Sequence, residues 1–195
     1  MFLGKYKLML GSDCKLIYGT ADYHRKRLKV LESERYIRRV NRLYIKLDDK
    51  GTRLVKEFGY NYSYKCRRKE YIDRLNEIAK VGALTLDSNI DFIASWNIKD
   101  DDIFTEQSRK YLGKMIYQEK EFIVYYIAKG KRKSYVSQIL NDIRKLVSYK
   151  NIIIFVEDFN LIKAKRNFVF GNDSTVVINP ITENFNLMRR YEDID

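Results

Sequence analysis

The chain has one histidine, His24, and this scarcity removes much chemistry. Multi-histidine zinc sites are excluded, and Ser-His-Asp catalysis, with one imidazole to draw on, is set aside. Cysteine is also scarce: Cys14 and Cys66 lie far apart with no CxxC and no signal peptide. They read as reduced thiols of a cytoplasmic protein rather than a disulfide. A single proline rules out a Pro-rich linker, and no repeat or low-complexity segment is seen. No apolar run approaches the ~18–20 residues that span a bilayer, so no membrane partner is expected. No Walker loop or GxGxxG occurs, which leaves nucleotide binding without support. No cofactor and no metal are expected.

What is abundant is positive charge, unevenly placed. The 195 residues carry a formal net charge of +12. Residues 1–80 hold 21 Lys and Arg against 10 Asp and Glu, whereas residues 81–195 hold 17 against 16. Such asymmetry points to an anionic partner held by the first module. A hydrophobic content of 45% supports a real core.

The periodicities predict a mixed α/β chain. A short helix is expected near 4–10, then a helix over about 21–35 with Thr20 as N-cap. Ala21, Leu28, Leu31 and Arg35 share one face of that helix with His24 at its edge, and Tyr23, Lys26, Lys29 and Val30 point the other way, Arg27 on the flank. Residues 37–47 read as a hairpin with a polar tip around Arg39–Arg42 and no glycine to fix its turn. A turn at 48–51 leads into a helix over about 51–58. Residues 60–68 form a basic, Tyr-rich connector, in which Tyr60, Tyr62 and Tyr64 are either core-packed or available to stack on bases.

Beyond it the sequence predicts a helix over 69–80 and a short strand over 83–86. An alternating strand follows over 90–98, with Ile90, Phe92, Ala94, Trp96 and Ile98 on one face. Residues 100–102 read as a loop, and a strand is expected over 121–128. Val136, Ile139, Leu140, Ile143, Leu146 and Val147 form a helical stripe, and Ile152–Val156 is a buried strand. The strand-helix-strand of 121–156 should pair its strands in parallel. A short helix, a strand near 175–178 and a helix over 182–190 close the chain. Residues 1–60 are therefore assigned to one domain and 69–195 to a second.

The stretch from Thr20 to Arg39, containing Arg25-Lys26-Arg27-Leu28-Lys29-Val30-Leu31 and then Tyr36-Ile37-Arg38-Arg39, resembles a winged-helix recognition element. Leu43-Tyr44-Ile45-Lys46-Leu47-Asp48-Asp49-Lys50-Gly51 is similar to the segment that closes the wing in those proteins. Taken with the α/β region behind it, the chain resembles the replication-relaxation family of plasmids, phages and conjugative elements. The resemblance implies a winged helix-turn-helix followed by a mixed-sheet α/β scaffold, and sequence-specific binding of double-stranded DNA in replication, transfer or transcription regulation. It also admits a homodimer or an element-encoded protein as partner. The DNA-contacting residues would be Tyr23, His24, Arg25, Lys26, Arg27 and Lys29 on the helix, with Arg38, Arg39, Asn41, Arg42 and Lys46 on the wing. Only about 19 residues precede the recognition helix, so the first helix of the motif is short, missing or supplied by a partner.

The element order over 69–157, α-β-β-β-α-β, is similar to the restriction-endonuclease-like core. Active members of that superfamily hold Mg²⁺ on carboxylates beside a lysine that positions the attacking water. The corresponding residues here are Glu77, Asp91 and Lys129, but Ile127 stands where (Asp/Glu)-x-Lys requires an acid. A degenerate, non-catalytic scaffold is expected, with a Mg²⁺-dependent endonuclease as the alternative.

Overall fold

The computed structural model describes residues 2–19, 21–64, 68–86, 90–99, 103–104, 110–117, 119–146, 151–163, 175–180 and 189–190, with backbone alone for 21, 175–180 and 189–190. The expected N-cap Thr20, the 100–102 loop and Val147 lie outside them. The fold is mixed α/β, with two sheets and seven α-helices among the described residues. The chain divides into two compact units, Met1–Ser88 and Asn89–Asp195.

The first unit opens with α1 (Phe2–Tyr6) and β1 (Leu8–Leu10). The apolar run Leu8-Met9-Leu10 is thus a strand, not the end of a helix. Leu8 and Met9 are wholly buried, and the run pairs with β3 (Tyr44–Leu47), which satisfies its backbone groups at a depth where water cannot. A 3₁₀ turn (Gly11–Cys14) and α2 (Lys15–Tyr18) follow, so the helical matter before the main basic helix is present but short. Gly19, at φ 79°, reverses the chain into α3 (Ala21–Ser33). Two residues short of the expected end, α3 closes where Arg35 takes a left-handed φ of 64° and the Tyr36 N–H reaches back to the Leu31 carbonyl at 2.9 Å.

The hairpin forms over the expected residues, but Arg39, expected at its tip, lies within the first strand and the turn falls at 41–43. β2 (Ile37–Val40) pairs antiparallel with β3, which also carries β1 on its other edge, giving the order β1-β3-β2. Its glycine-free tip is made by Asn41 and Arg42, both left-handed at φ 50° and 59°, with the Leu43 N–H donating to the Val40 carbonyl at 3.2 Å. Two successive left-handed residues match the strand twist of a tight hairpin, and for Arg42 this backbone costs roughly 1 kcal/mol.

α4 (Asp49–Glu57) starts two residues before the sequence reading places it. Gly51, expected in the turn, lies in its first turn because the helix backbone there sits on the Tyr36 carbonyl: a Cβ at Gly51 would be 2.0 Å from that oxygen.

α5 (Lys69–Leu84) moves the expected boundary. It absorbs residues 83 and 84 of the expected 83–86 strand, a turn taking 85 and 86, and it belongs to the first unit rather than opening the second. The buried Asn76 holds it there. Its side-chain oxygen accepts the Leu10 N–H, and its Nδ2 donates to Asp13 at 3.2 Å, with Lys80 pairing to the same carboxylate at 3.3 Å. From β3, the Tyr44 hydroxyl donates to Asp73 at 3.0 Å; burial and this carboxylate push its pKa up to about 12. The connector is structural at Tyr62, whose hydroxyl accepts the Leu47 N–H at 3.2 Å and donates to the Lys7 carbonyl at 3.0 Å.

The second unit is built on a six-stranded sheet in the order β4-β5-β6-β7-β8-β9. β4 (Asp91–Ala94) is shorter than the expected 90–98 strand. Its alternation breaks at a 3₁₀ turn (Ser95–Asn97), which leaves Trp96 half-buried off the strand. β5 (Gly113–Tyr117) has no counterpart in the sequence reading. β6 (Lys120–Ile127) runs antiparallel to β5 and parallel to β7 (Asn151–Val156), as the crossover rule requires, with α6 (Lys133–Ile143) between them. Ile123, Tyr125 and Ile127 share a face with Ile152, Ile154 and Val156, and Val136, Ile139, Leu140 and Ile143 of α6 join them in one core. Inside it the Tyr125 hydroxyl donates to buried Asp142 at 3.1 Å. α7 (Phe159–Lys163) follows, then β8 (Thr175–Pro180) and β9 (Arg189–Arg190). β9 is a strand where the end of a helix was expected; residues 182–188 lie outside the described set.

Gly51 gives a direct test of the first unit's packing. Gly51→Ala drives a methyl into the Tyr36 carbonyl, a backbone atom that cannot rotate away, and should cost about 2 kcal/mol. Thermal denaturation should show Tm lowered by roughly 10 °C for a unit of this size. An unchanged Tm would show that the Gly51–Tyr36 contact is not as tight as described.

Candidate nucleic-acid interface

α3 has three sides that differ in use. Its buried side carries Leu28, 5% exposed, and His24, 6% exposed. Its crest carries Tyr23, 59% exposed, with Lys26 and Val30. Toward the hairpin, Arg25, Lys29 and Glu32 fall at i, i+4 and i+7 on one stripe. Arg27 lies on the opposite flank, where its charge partly offsets the rise that burial gives the Tyr18 phenol.

The hairpin divides its basic residues by strand parity. Arg39 pairs in register with Ile45 and so faces α3, where its Nε meets Glu32 at 3.2 Å. Arg38 pairs with Lys46 on the other face. There Arg38 lies 3.8 Å from Asp48, and the Lys46 ammonium sits 4.7 Å above the Tyr64 ring. Burial lowers the Lys46 pKa, and Arg38 adds to the effect. Asn41 and Arg42 are exposed at the tip.

Between α3 and the hairpin lies an open cleft of about 660 Å³. Lys15, Arg25, Lys29, Arg39 and Arg42 line it, and His24 and Leu28 form its buried wall with Leu10. Among the described residues, Arg25, Lys29 and Arg42 take part in no ion pair, and Arg39 pairs with Glu32 of α3. That exposed pair contributes about 0–1 kcal/mol, so an incoming anion displaces Glu32 at small cost. Chemically the cleft is cation-lined, with Leu10, Leu28 and Leu43 as its apolar part. The buried Cys14 nearby is inert: burial, with Asp13 beside it, raises its thiol to about 12.

The structure therefore brings together Arg25, Lys29, Arg39 and Arg42 of the sequence-derived set, with Tyr23 and Lys26 beside them on the crest. It sets apart Arg38 and Lys46, which belong to the far face of the hairpin, and it buries His24, expected at the edge of the Leu28 face, in the cleft wall. Lys15 was missed; it stands alone in a weakly patterned segment, and only the fold of the 3₁₀ turn carries it to the cleft.

The alternative catalytic set is divided between the two units, and its two members in the second unit lie at different levels of the sheet. Glu77 is buried on α5 in the first unit, whereas Asp91 and Lys129 are in the second. Asp91 pairs with Ile116, which pairs with Glu121 near the start of β6, while Lys129 follows that strand's far end. The six strand steps from Glu121 to Ile127 alone separate the two levels by about 20 Å. The Lys129 N–H donates instead to Glu157 at 2.7 Å, and the other Glu157 oxygen accepts the Tyr126 hydroxyl at 2.7 Å.

Neither a protein-family model nor a functionally characterised protein matches the sequence. No described helix is long and apolar enough to cross a membrane.

The separation of Asp91 from Lys129 yields a prediction. Supercoiled plasmid incubated with the purified protein and Mg²⁺ or Mn²⁺ should remain intact. Nicking that disappears in Asp91→Ala would contradict the register described here.

Proposed function

We propose that the first unit is a winged helix that binds double-stranded DNA sequence-specifically and without catalysis, α3 being the recognition helix and the β2–β3 hairpin the wing. One observation carries the reading: the cation-lined cleft between the exposed face of α3 and the hairpin tip. Duplex DNA presents a major groove about 12 Å wide that admits a helix, bordered by phosphate strands. With α3 in that groove, a flanking strand enters the cleft. Lys15, Arg25, Lys29, Arg39 and Arg42 then neutralise phosphates, while Tyr23 and Lys26 on the crest meet base edges.

Support comes also from the order of elements. A helix followed directly by a hairpin whose second strand pairs with an earlier strand, in the order β1-β3-β2, is the arrangement a winged helix uses to fix its wing. The sequence resemblance of residues 20–51 supports a role in the replication, transfer or transcription regulation of a mobile genetic element.

The test is fluorescence anisotropy on a selected site and a scrambled duplex at several salt concentrations. Arg39→Ala with Arg42→Ala should weaken both duplexes and reduce the salt slope by about two units, one per lost phosphate contact. Arg38→Ala should leave the slope nearly unchanged, because that side chain is on the other hairpin face. Lys26→Ala should cost about 1–3 kcal/mol on the selected site and less on the scrambled one. Equal effects of Arg38→Ala and Arg39→Ala would contradict the docking, and no duplex binding at low salt would contradict the function.

A further inference from the structure

A second concentration of positive charge lies in the second unit, hidden in the sequence by the near-neutral total of residues 81–195. Lys129-Gly130-Lys131-Arg132-Lys133 places four cations in five residues. The segment joins the end of β6 to the start of α6, with Gly130 turning the chain at φ 81°. Lys129, Arg132 and Lys133 are exposed. The fold adds a fifth cation from a distant segment. The Lys110 and Lys131 ammonium groups each stand 4.8 Å from the centroid of the Tyr135 ring, so they are no further apart than the sum of those distances.

Two features of this patch go against local electrostatics. Like charges are crowded around one ring, although each cation is drawn to the π face. The first turn of α6 also contains no acidic residue, and its N-cap Arg132 makes no capping hydrogen bond. Cations at a helix N-terminus oppose the helix dipole, where acids are the stabilising choice. Concentrated, exposed charge placed against the local preference is expected where an anion is to be bound. Five cations gathered around one loop and one ring suit a repeating polyanion better than a single small anion.

We propose that Lys110, Lys129, Lys131, Arg132 and Lys133 form a second, sequence-independent contact to the phosphate backbone of duplex DNA. The choice of DNA rests on the function proposed for the first unit. The second unit then supplies affinity that does not depend on sequence, and the first unit supplies discrimination.

Lysine acetylation footprinting of the full-length chain on a long duplex, read by mass spectrometry, tests each contact separately. Lys131 and Lys133 should be protected several-fold by DNA, Lys26 and Lys29 likewise, and exposed Lys120 on β6 not at all. In parallel, Arg132→Gln with Lys133→Gln should lower the salt slope by about two units while leaving the ratio of selected to scrambled affinity unchanged. The charge-retaining pair Arg132→Lys with Lys133→Arg should restore the slope. Protection confined to Lys26 and Lys29, with an unchanged slope, overturns this proposal and leaves the first unit's function standing. Protection confined to Lys131 and Lys133 upholds it and overturns the first unit's function. No protection anywhere overturns both.

Discussion

The first unit depends on the pairing of β3 with two strands at once. β3 has only four residues, yet it takes β1 on one edge and β2 on the other, and it buries Ile45 and Leu47 beneath them. A free two-stranded hairpin is at best marginally stable in water. Bonded into a third strand and covered below, this one becomes a fixed arm. α5 bolts the same assembly from behind through Asn76, Asp73 and Lys80. The cleft between α3 and the hairpin is thus bordered by an arm held through backbone pairing.

Strand parity then decides which charges are useful. Consecutive residues in a strand point to opposite faces. Arg38 and Arg39 are therefore separated by the fold as surely as if they were distant in sequence, one joined to Asp48 and the other to α3. On α3 the equivalent rule is the helical period, which puts Arg25 and Lys29 over the cleft and Lys26 on the crest. The same basic composition thus yields two kinds of residue: some placed to hold a backbone, some placed to face outward.

Much of this was legible in the sequence. The hairpin, α3 and α6 with its apolar stripe as far as Ile143 follow from periodicities of 2 and 3.6, and the parallel pairing around α6 from the crossover rule; Leu146, expected in the same stripe, lies beyond the helix in a bridge to Phe104. Other features were not legible, for identifiable reasons. The amphipathic pattern of α5 shows that a face is buried but not against what, so the boundary was placed before the helix rather than after it. Leu8-Met9-Leu10 has no period of its own, and only the open edge of β3 makes it a strand. β5, reading Gly-Lys-Met-Ile-Tyr, neither alternates nor forms an apolar run. The strand at 91–94 stops at Ser95 although the apolar alternation continues through Trp96 to Ile98. In the candidate site, charge points to Arg39 and Arg42, but the exclusion of Arg38 and Lys46 needs the register; the helical period already sets His24 at the edge of the Leu28 face, and the packing of α3 shows it buried there. Counting charge over a hundred residues averaged away the run at 129–133.

The central claim is that the cleft between α3 and the hairpin tip is where duplex DNA lies. Backbone amide chemical shifts, followed as a duplex carrying the selected site is titrated in, address it most directly. The account predicts that the largest changes fall on residues 23–29 and 39–42, with the far end of α5 unmoved. Largest changes on Arg38, Lys46 and Tyr64, with residues 23–29 silent, would place the DNA on the other face of the hairpin and contradict it.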